Sequence, residues 1–419
     1  MFKRYGGRHS VRNVDKRKRG KRDVLSYEDV PLEEYNDERT QISKDAVKRI
    51  LIIAAVLVVT GLIIFAVANR DALSPDKLGH WFKYDVLGSS DDGFPAEIIG
   101  SNVSIGNFKC DGDISYVSDT AFASISSTGN EIGYNQHSFS SPVMETAADK
   151  VIIYNLGGNG YVVGTKDKLK DIKDTDNYVI TADINSRGDY CVVTQTDGYL
   201  SKLHVFNSEG EKIYAYSFAD YYINSVSLNP NGTGCVACGV AGDNGSLLGI
   251  AYVLDFASEA PVATFALDET VVYECEYFNS GSVCIIGSTA SYTLDIRGAR
   301  LNEVEYGNKQ LTAFDINPDT NSFVLSLSRS ADGRKCSVNY VNINGEILNV
   351  NDTNREIHSI SLYKNRIAVL DSNKAYLFDT EGNLLSKTDA GTGSKAVALD
   401  STDTAYVLGI NEIRRLVFQ

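Results

Sequence analysis

The feature that most constrains this chain is a cadence of short strands. An apolar strand, a polar turn containing glycine and a second apolar strand recur at Ile125-Ser-Ser-Thr-Gly-Asn-Glu-Ile, Phe206-Asn-Ser-Glu-Gly-Glu-Lys-Ile, Leu294-Asp-Ile-Arg-Gly-Ala-Arg-Leu, Val341-Asn-Ile-Asn-Gly-Glu-Ile-Leu and Phe378-Asp-Thr-Glu-Gly-Asn-Leu-Leu. Degenerate copies fall at Val163 and Leu254, and a last strand ends at Val417. Positions 125, 163, 206, 254, 294, 341, 378 and 417 are 37 to 48 residues apart. Their mean of ~42 lies in the range of four-stranded propeller blades. A second motif, a tight polar turn feeding an apolar strand, is written four times, from Asn185, Asn229, Asn279 and Asn317.

Eight such strands predict an all-β fold, an eight-bladed β-propeller over residues 94–419. Seven blades is the alternative, because the copy between residues 140 and 175 is the weakest. Two separate sandwiches fit less well, since sandwich strands do not repeat their turns at a fixed period. The eighth copy stops at its third strand, so its outer strand is expected from Ala96 to Ile105. Closing the ring with both ends would hide sheet edges that an open array exposes.

Charge and hydropathy divide the rest of the chain. Residues 1–48 hold 13 Lys and Arg against 9 Asp and Glu, and the remaining 371 hold 27 against 45, a net of −18. A body this acidic excludes nucleic acid as a partner, because a phosphate backbone needs a basic footprint. Ile50 to Ala68 is nineteen residues without a charge. At ~1.5 Å per residue it spans ~28 Å, close to the ~30 Å hydrocarbon core. Ten of the first 22 residues are Lys or Arg against one acid, Asp15. The positive-inside rule then keeps the N-terminus cytoplasmic and exports the C-terminal bulk. A cleaved signal peptide is the competing reading, since Ala66-Val67-Ala68 looks like a cleavage site, but the apolar run exceeds the usual ~7 to 15 residues. The predicted layout is a disordered cytoplasmic tail over 1–48 and a transmembrane helix over 49–69, in contact with membrane lipid through 50–68. A linker over 70–93 leads to an extracellular propeller over 94–419.

A basic cytoplasmic tail, one anchor and a C-terminal propeller with turns such as Phe378-Asp-Thr-Glu-Gly-Asn resembles an uncharacterised family of single-pass membrane proteins from Gram-positive anaerobes. Its extracellular part is similar to quinoprotein-like and WD40-like propellers. The resemblance implies location and fold, and no activity. The chain has only Trp81, and it lacks the repeated Gly-x-x-x-Trp of quinoprotein repeats and the Trp-Asp ending of WD repeats. No cofactor is expected.

Few residues point to chemistry. Cys191, Cys235 and Cys284 read as one place in three repeats, small buried residues between blades. Cys235 and Cys238 are not read as a redox pair, because side chains three apart on a strand point to opposite faces. Asp315-Ile-Asn-Pro-Asp-Thr-Asn has the alternating oxygens of a calcium loop without the glutamate at its twelfth position, which leaves an Asx-rich turn. Gly157-Gly-Asn-Gly160 reads as a hairpin turn, and the five histidines show no ligand spacing, so no metal is expected. Candidate binding residues are Tyr216, Asp220, Tyr221 and Tyr222 at a blade junction, Asp243 and Asn244 in one long hairpin, and Arg329 and Asp332 in another. Aromatics with a few polar groups suit recognition. The expected role is a binding or scaffolding module for a cell-envelope protein or polymer. The alternatives are a surface glycan lyase or hydrolase using acids that converge on the axis, and an envelope sensor.

Overall fold

The computed structural model describes residues 93–419 apart from 244 and 296–298, together with the isolated Thr60. Apart from Thr60 and Gly93, the tail, the apolar run and the linker read from the sequence lie outside the described residues. Among the described residues no helix is long and apolar enough to cross a membrane.

Each repeat folds as an antiparallel meander whose strands run outward from an axis. Blade 1 is residues 108–136, blade 2 142–165, blade 3 179–218, blade 4 222–268, blade 5 272–305, blade 6 310–352 and blade 7 359–389. Blade 8 is 396–417 completed by Ala96–Glu97. Eight blades are present, and the seven-bladed and two-sandwich alternatives fall. Second strands such as Val283–Gly287 and Ser322–Ser328 are buried on both faces, as expected of strands covered on each side. Outermost strands such as Leu384–Asp389 alternate and face solvent.

The recurring turn explains itself locally. In Asn207-Ser-Glu-Gly-Glu, Asn342-Ile-Asn-Gly-Glu and Asp379-Thr-Glu-Gly-Asn the first side chain accepts two backbone N–H groups, at 2.8 to 3.1 Å. The glycine that follows has φ of 88°, 72° and 92°, a conformation other residues rarely adopt.

Apolar side chains collect into eight clusters, each shared by two consecutive blades. The cluster between blades 8 and 1 joins Ile98, Phe108 and Ile114 to Tyr406, Leu408 and Ile413. Closure is made there: Ala96 pairs with Ile413, Glu97 with Glu412, and the Ile98 N–H donates to Asn411 O at 2.9 Å. The Ile99 N–H donates to the Tyr116 hydroxyl at 3.0 Å. The closing strand is shorter than the sequence suggested, because Gly100 turns the chain at φ 87° and a Cβ there would lie 2.3 Å from Ser118 Oγ.

The cysteine alignment needs one correction. Cys191 and Cys284 are equivalent, paired with Asp183 and Glu276 of the innermost strands, but Cys235 is offset by one and pairs with Leu228. The turn Asn229–Gly234 is one residue longer than Asn185–Asp189, which rotates Cys235 back toward blade 3. Cys235 and Cys238 lie in different interblade cores, as their spacing requires.

Blade 2, the weakest copy, has three strands. Residues 166–178 form a strap along its open edge, where Tyr161 and Lys173 exchange backbone hydrogen bonds at 2.8 and 2.9 Å and the Lys170 N–H donates to Val163 O at 2.9 Å. Lys173 pins the strap. Its Nζ lies 5.3 to 5.9 Å from the ring centroids of Tyr161, Tyr190 and Phe206 and 2.7 Å from the Tyr190 hydroxyl. Desolvated cation–π contacts are worth roughly 2 kcal/mol. Lys173→Ala is therefore expected to speed hydrogen exchange at the Tyr161 and Lys173 amides about tenfold with blade 5 unchanged. Unaltered strap rates would show that the backbone bonds alone hold it.

Candidate functional site

Innermost strands leave one edge unpaired toward the axis, and side chains from the preceding blade satisfy it. Asp183 Oδ2 accepts the Leu228 N–H at 2.7 Å, Asp315 Oδ2 the Leu362 N–H at 2.6 Å, and Ser361 Oγ the Leu399 N–H at 3.0 Å. Ser227 Oγ accepts the Tyr277 N–H at 3.2 Å. Each bond spans one blade in sequence. Strand register places Lys109, Glu145, Asp183, Ser227, Glu276, Asp315, Ser361 and Ala398 at this one level of the ring, one from each blade. Glu274 stands one level nearer the opening, where Ser225 and Ser359 cap the N–H groups of Cys275 and Val397 at 3.0 and 3.1 Å.

The bore therefore holds five carboxylates and one ammonium. Lys109 Nζ lies 3.2 Å from Glu145 Oε2, with both side chains about one-third exposed, at 33% and 34%, so solvent reaches the bore. Glu145 is the main cause holding the Lys109 ammonium above its ordinary value. Burial pushes Asp183 and Glu274 up to about 7 and Asp315 up to about 6, against the Leu228 and Leu362 N–H bonds that lower the two aspartates. Burial, reinforced by Glu274, raises Glu276 well above the carboxylate range. Among the described residues no group of three or more His, Cys, Asp or Glu is arranged to hold a metal ion.

Blade topology gives the ring two end faces. The upper face carries the links from one blade to the next and the hairpins between second and third strands; the lower face carries the other turns. Asp220, Tyr221 and Tyr222 lie in the link from blade 3 to blade 4 and at its end, on the upper face. The same face holds the blade 4 hairpin with Asp243 and the blade 6 hairpin with Arg329 and Asp332. Asn244 and the side chain of Asp243 lie outside the described residues. Tyr216 is separated from the others. It sits inside the outermost strand Lys212–Phe218, opposite Leu203, packed edge-on to Phe218 at 4.9 Å, because strand alternation turns it onto the blade 3–4 core. Tyr221 packs against Tyr252 at 6.1 Å, while Tyr222 is exposed. Asp332 Oδ1 accepts the Arg334 N–H at 3.2 Å, an intraloop contact. A shallow groove lined by Tyr340, Ile347, Leu348 and Glu381 lies at the circumference between blades 6 and 7.

The sequence allows acids that converge on the axis but does not single out the residues that line the bore. Its signal was a polar residue two positions before a turn asparagine, in Asp183-Ile-Asn185, Ser227-Leu-Asn229 and Asp315-Ile-Asn317. Asp315, which opens the calcium-loop-like pattern, caps the neighbouring blade with its carboxylate, and Asn317 Oδ1 accepts the Thr320 N–H at 3.0 Å.

The chain is a closed eight-bladed β-propeller with a polar bore. Residues 97–416 match the family described as a family of unknown function (DUF5711), and the chain belongs to it. Among solved structures it is similar to the computationally designed Ika8 protein (TM-score 0.59, 13% identity, 77% of this chain and 99% of that one). It is also similar to the C-terminal WD40 domain of Sif2 (TM-score 0.55, 10% identity, 77% and 99%). BamB from Moraxella catarrhalis aligns at TM-score 0.49 and 12% identity over 76% and 99%. These likenesses concern the fold. No curated protein matches the chain.

The raised carboxylates set a sign for pH dependence. Unfolded Asp and Glu titrate near pH ~4. Between that point and about 7 the folded protein keeps protons the unfolded chain has released, so this group's contribution to stability falls as pH rises through the window. His204, lowered to about 4 by burial, works in the opposite sense, so the difference between variants is diagnostic. The double variant Glu274→Gln/Glu276→Gln is expected to melt above wild type at pH 8, with the gap narrowing toward pH 5. A variant that melts lower at pH 8 would show that the ionised carboxylates stabilise the ring.

Proposed function

We propose that the chain is a membrane-anchored, extracellular propeller that binds a cell-envelope protein or polymer on its upper face. The observation that carries this reading is the grouping of exposed tyrosines on that face. Tyr178, Tyr199, Tyr222 and Tyr273 are 51, 51, 47 and 54% exposed. Large aromatics left in solvent on one face of a rigid scaffold are the usual anchors of recognition. The described chain begins on the other face, where the Gly93 N–H donates to Thr128 O at 3.0 Å in a lower-face turn of blade 1. The positive-inside charge pattern supports export of the propeller.

A catalytic reading has the bore carboxylates in its favour, since acids held partly protonated near neutral pH suit general acid–base work. They sit inside a closed ring, however, away from the exposed tyrosines of the upper face. Binding at the face accounts for the tyrosines and catalysis does not.

Site-specific photo-crosslinkers in intact cells test the reading. A crosslinker replacing Tyr199 is expected to give a discrete, reproducible adduct, and one replacing Leu384 on the exposed circumference is not. Equal yields at both sites, or none at either, would count against upper-face binding.

A further inference from the structure

We propose that the upper face of blades 3–5 docks a lysine- and arginine-bearing peptide segment of a partner protein, its cationic side chains seated on the exposed tyrosines and paired with the acids beside them. This rests on the upper-face reading above and names the chemistry of the partner.

The motif is a repeat within the repeat. Asp176-Asn-Tyr178, Asp197-Gly-Tyr199 and Asp220-Tyr-Tyr222 place an acid two residues before each exposed tyrosine, in successive upper-face segments. All three aspartates are exposed. Glu269, also exposed, precedes Tyr273 in the next link. Segments 174–178, 195–199, 219–222 and 269–273 together hold five carboxylates and no lysine or arginine.

Hydrogen bonds show that these segments adjoin. The Gln195 N–H donates to Tyr178 O at 2.9 Å, which sets the first motif beside the second. Ser201, two residues beyond Tyr199, donates to Tyr221 O at 3.4 Å and accepts the Ile223 N–H at 3.2 Å, which ties the second motif to the third. Asn224 Nδ2 donates to Val272 O at 2.6 Å and brings Tyr273 alongside. Glu274 follows directly into the bore, so acidic side chains continue inward from the rim.

Charge complementarity selects the occupant. A tyrosine face attracts cations, and an adjacent carboxylate adds a charge-assisted hydrogen bond; arginine satisfies both at once through its flat, forked guanidinium. An anionic polymer would be repelled. A neutral glycan could stack on the rings and donate hydroxyl hydrogen bonds to the acids, but it would lack the charge–charge attraction that a cationic side chain gains from each of them. The blade 6 hairpin, with Arg329, Arg334 and Lys335, bounds the acidic sector on one side and would orient the segment.

The test is a calorimetric titration of the full chain in detergent micelles with octa-arginine, octa-glutamate and a neutral glucan hexasaccharide. Octa-arginine is expected to bind, more weakly as salt rises. Asp176→Asn/Asp197→Asn/Asp220→Asn is expected to lower its affinity about tenfold. The lower-face triple Glu209→Gln/Glu259→Gln/Glu381→Gln removes the same net charge and is expected to leave it unchanged. Tyr222→Ala/Tyr273→Ala is expected to cost about tenfold and the matching phenylalanine pair little, since both rings attract cations. Equal losses from the two acid triples would overturn the proposal in favour of diffuse attraction. Octa-glutamate or the glucan binding as tightly would overturn it outright. If octa-arginine fails while the Tyr199 crosslink persists, the cationic partner falls and upper-face binding stands; if both fail, both readings fall.

Discussion

The pairing of Ala96 and Glu97 with Ile413 and Glu412 is the contact on which the rest of the structure depends. Propeller blades are individually weak, because each meander has two apolar faces and can cover neither alone. Eight blades give eight interfaces only if the last meets the first. The cluster joining Ile98, Phe108 and Ile114 to Tyr406, Leu408 and Ile413 is that eighth interface, and the short strand holds its two sides in register. Without it two blade faces and two strand edges would be left to solvent.

Closure also creates the site. Lys109, Glu145, Asp183, Glu276 and Asp315 come from five different blades and share one level because register is transmitted around the ring. Their side chains do two kinds of work. Asp183 and Asp315, like the serines of blades 4 and 7, stitch the inner edge of one blade to the next. Glu274 and Glu276 crowd two more carboxyl groups into a solvent-reached but protein-enclosed space, and burial holds their protons. The bore thus ties stability to protonation, while Tyr178, Tyr222 and Tyr273 remain uncovered at the rim.

Much of the architecture was legible in the sequence, because a propeller writes its period directly into the chain. Phe206, Val341 and Phe378 each lie at or one residue before the end of a third strand, and the Asx–Gly turns there have the side-chain bonds their composition suggests. The weak copy near residue 150 was real, but its cause is a strap in place of a strand, held by Lys173 in an aromatic cage that no local pattern announces. The closing strand was placed correctly at Ala96 and too long, since the steric demand at Gly100 comes from Ser118 in another blade. The bore was hidden because its members are about one blade apart in sequence and meet only after closure. Of the candidate residues, Asp220 and Tyr222 stand on the upper face, while Tyr216 is turned inward by a strand alternation that sets which aromatics are left free.

A disulfide trap at the seam tests closure most directly. Glu97 and Glu412 are register partners with outward-accessible side chains, and Glu97→Cys/Glu412→Cys should oxidise within one chain to a monomeric species whose unfolding midpoint exceeds that of its reduced form. Disulfides formed only between chains, or none under conditions that oxidise exposed thiols, would mean that the first and last strands do not meet and that the ring is open.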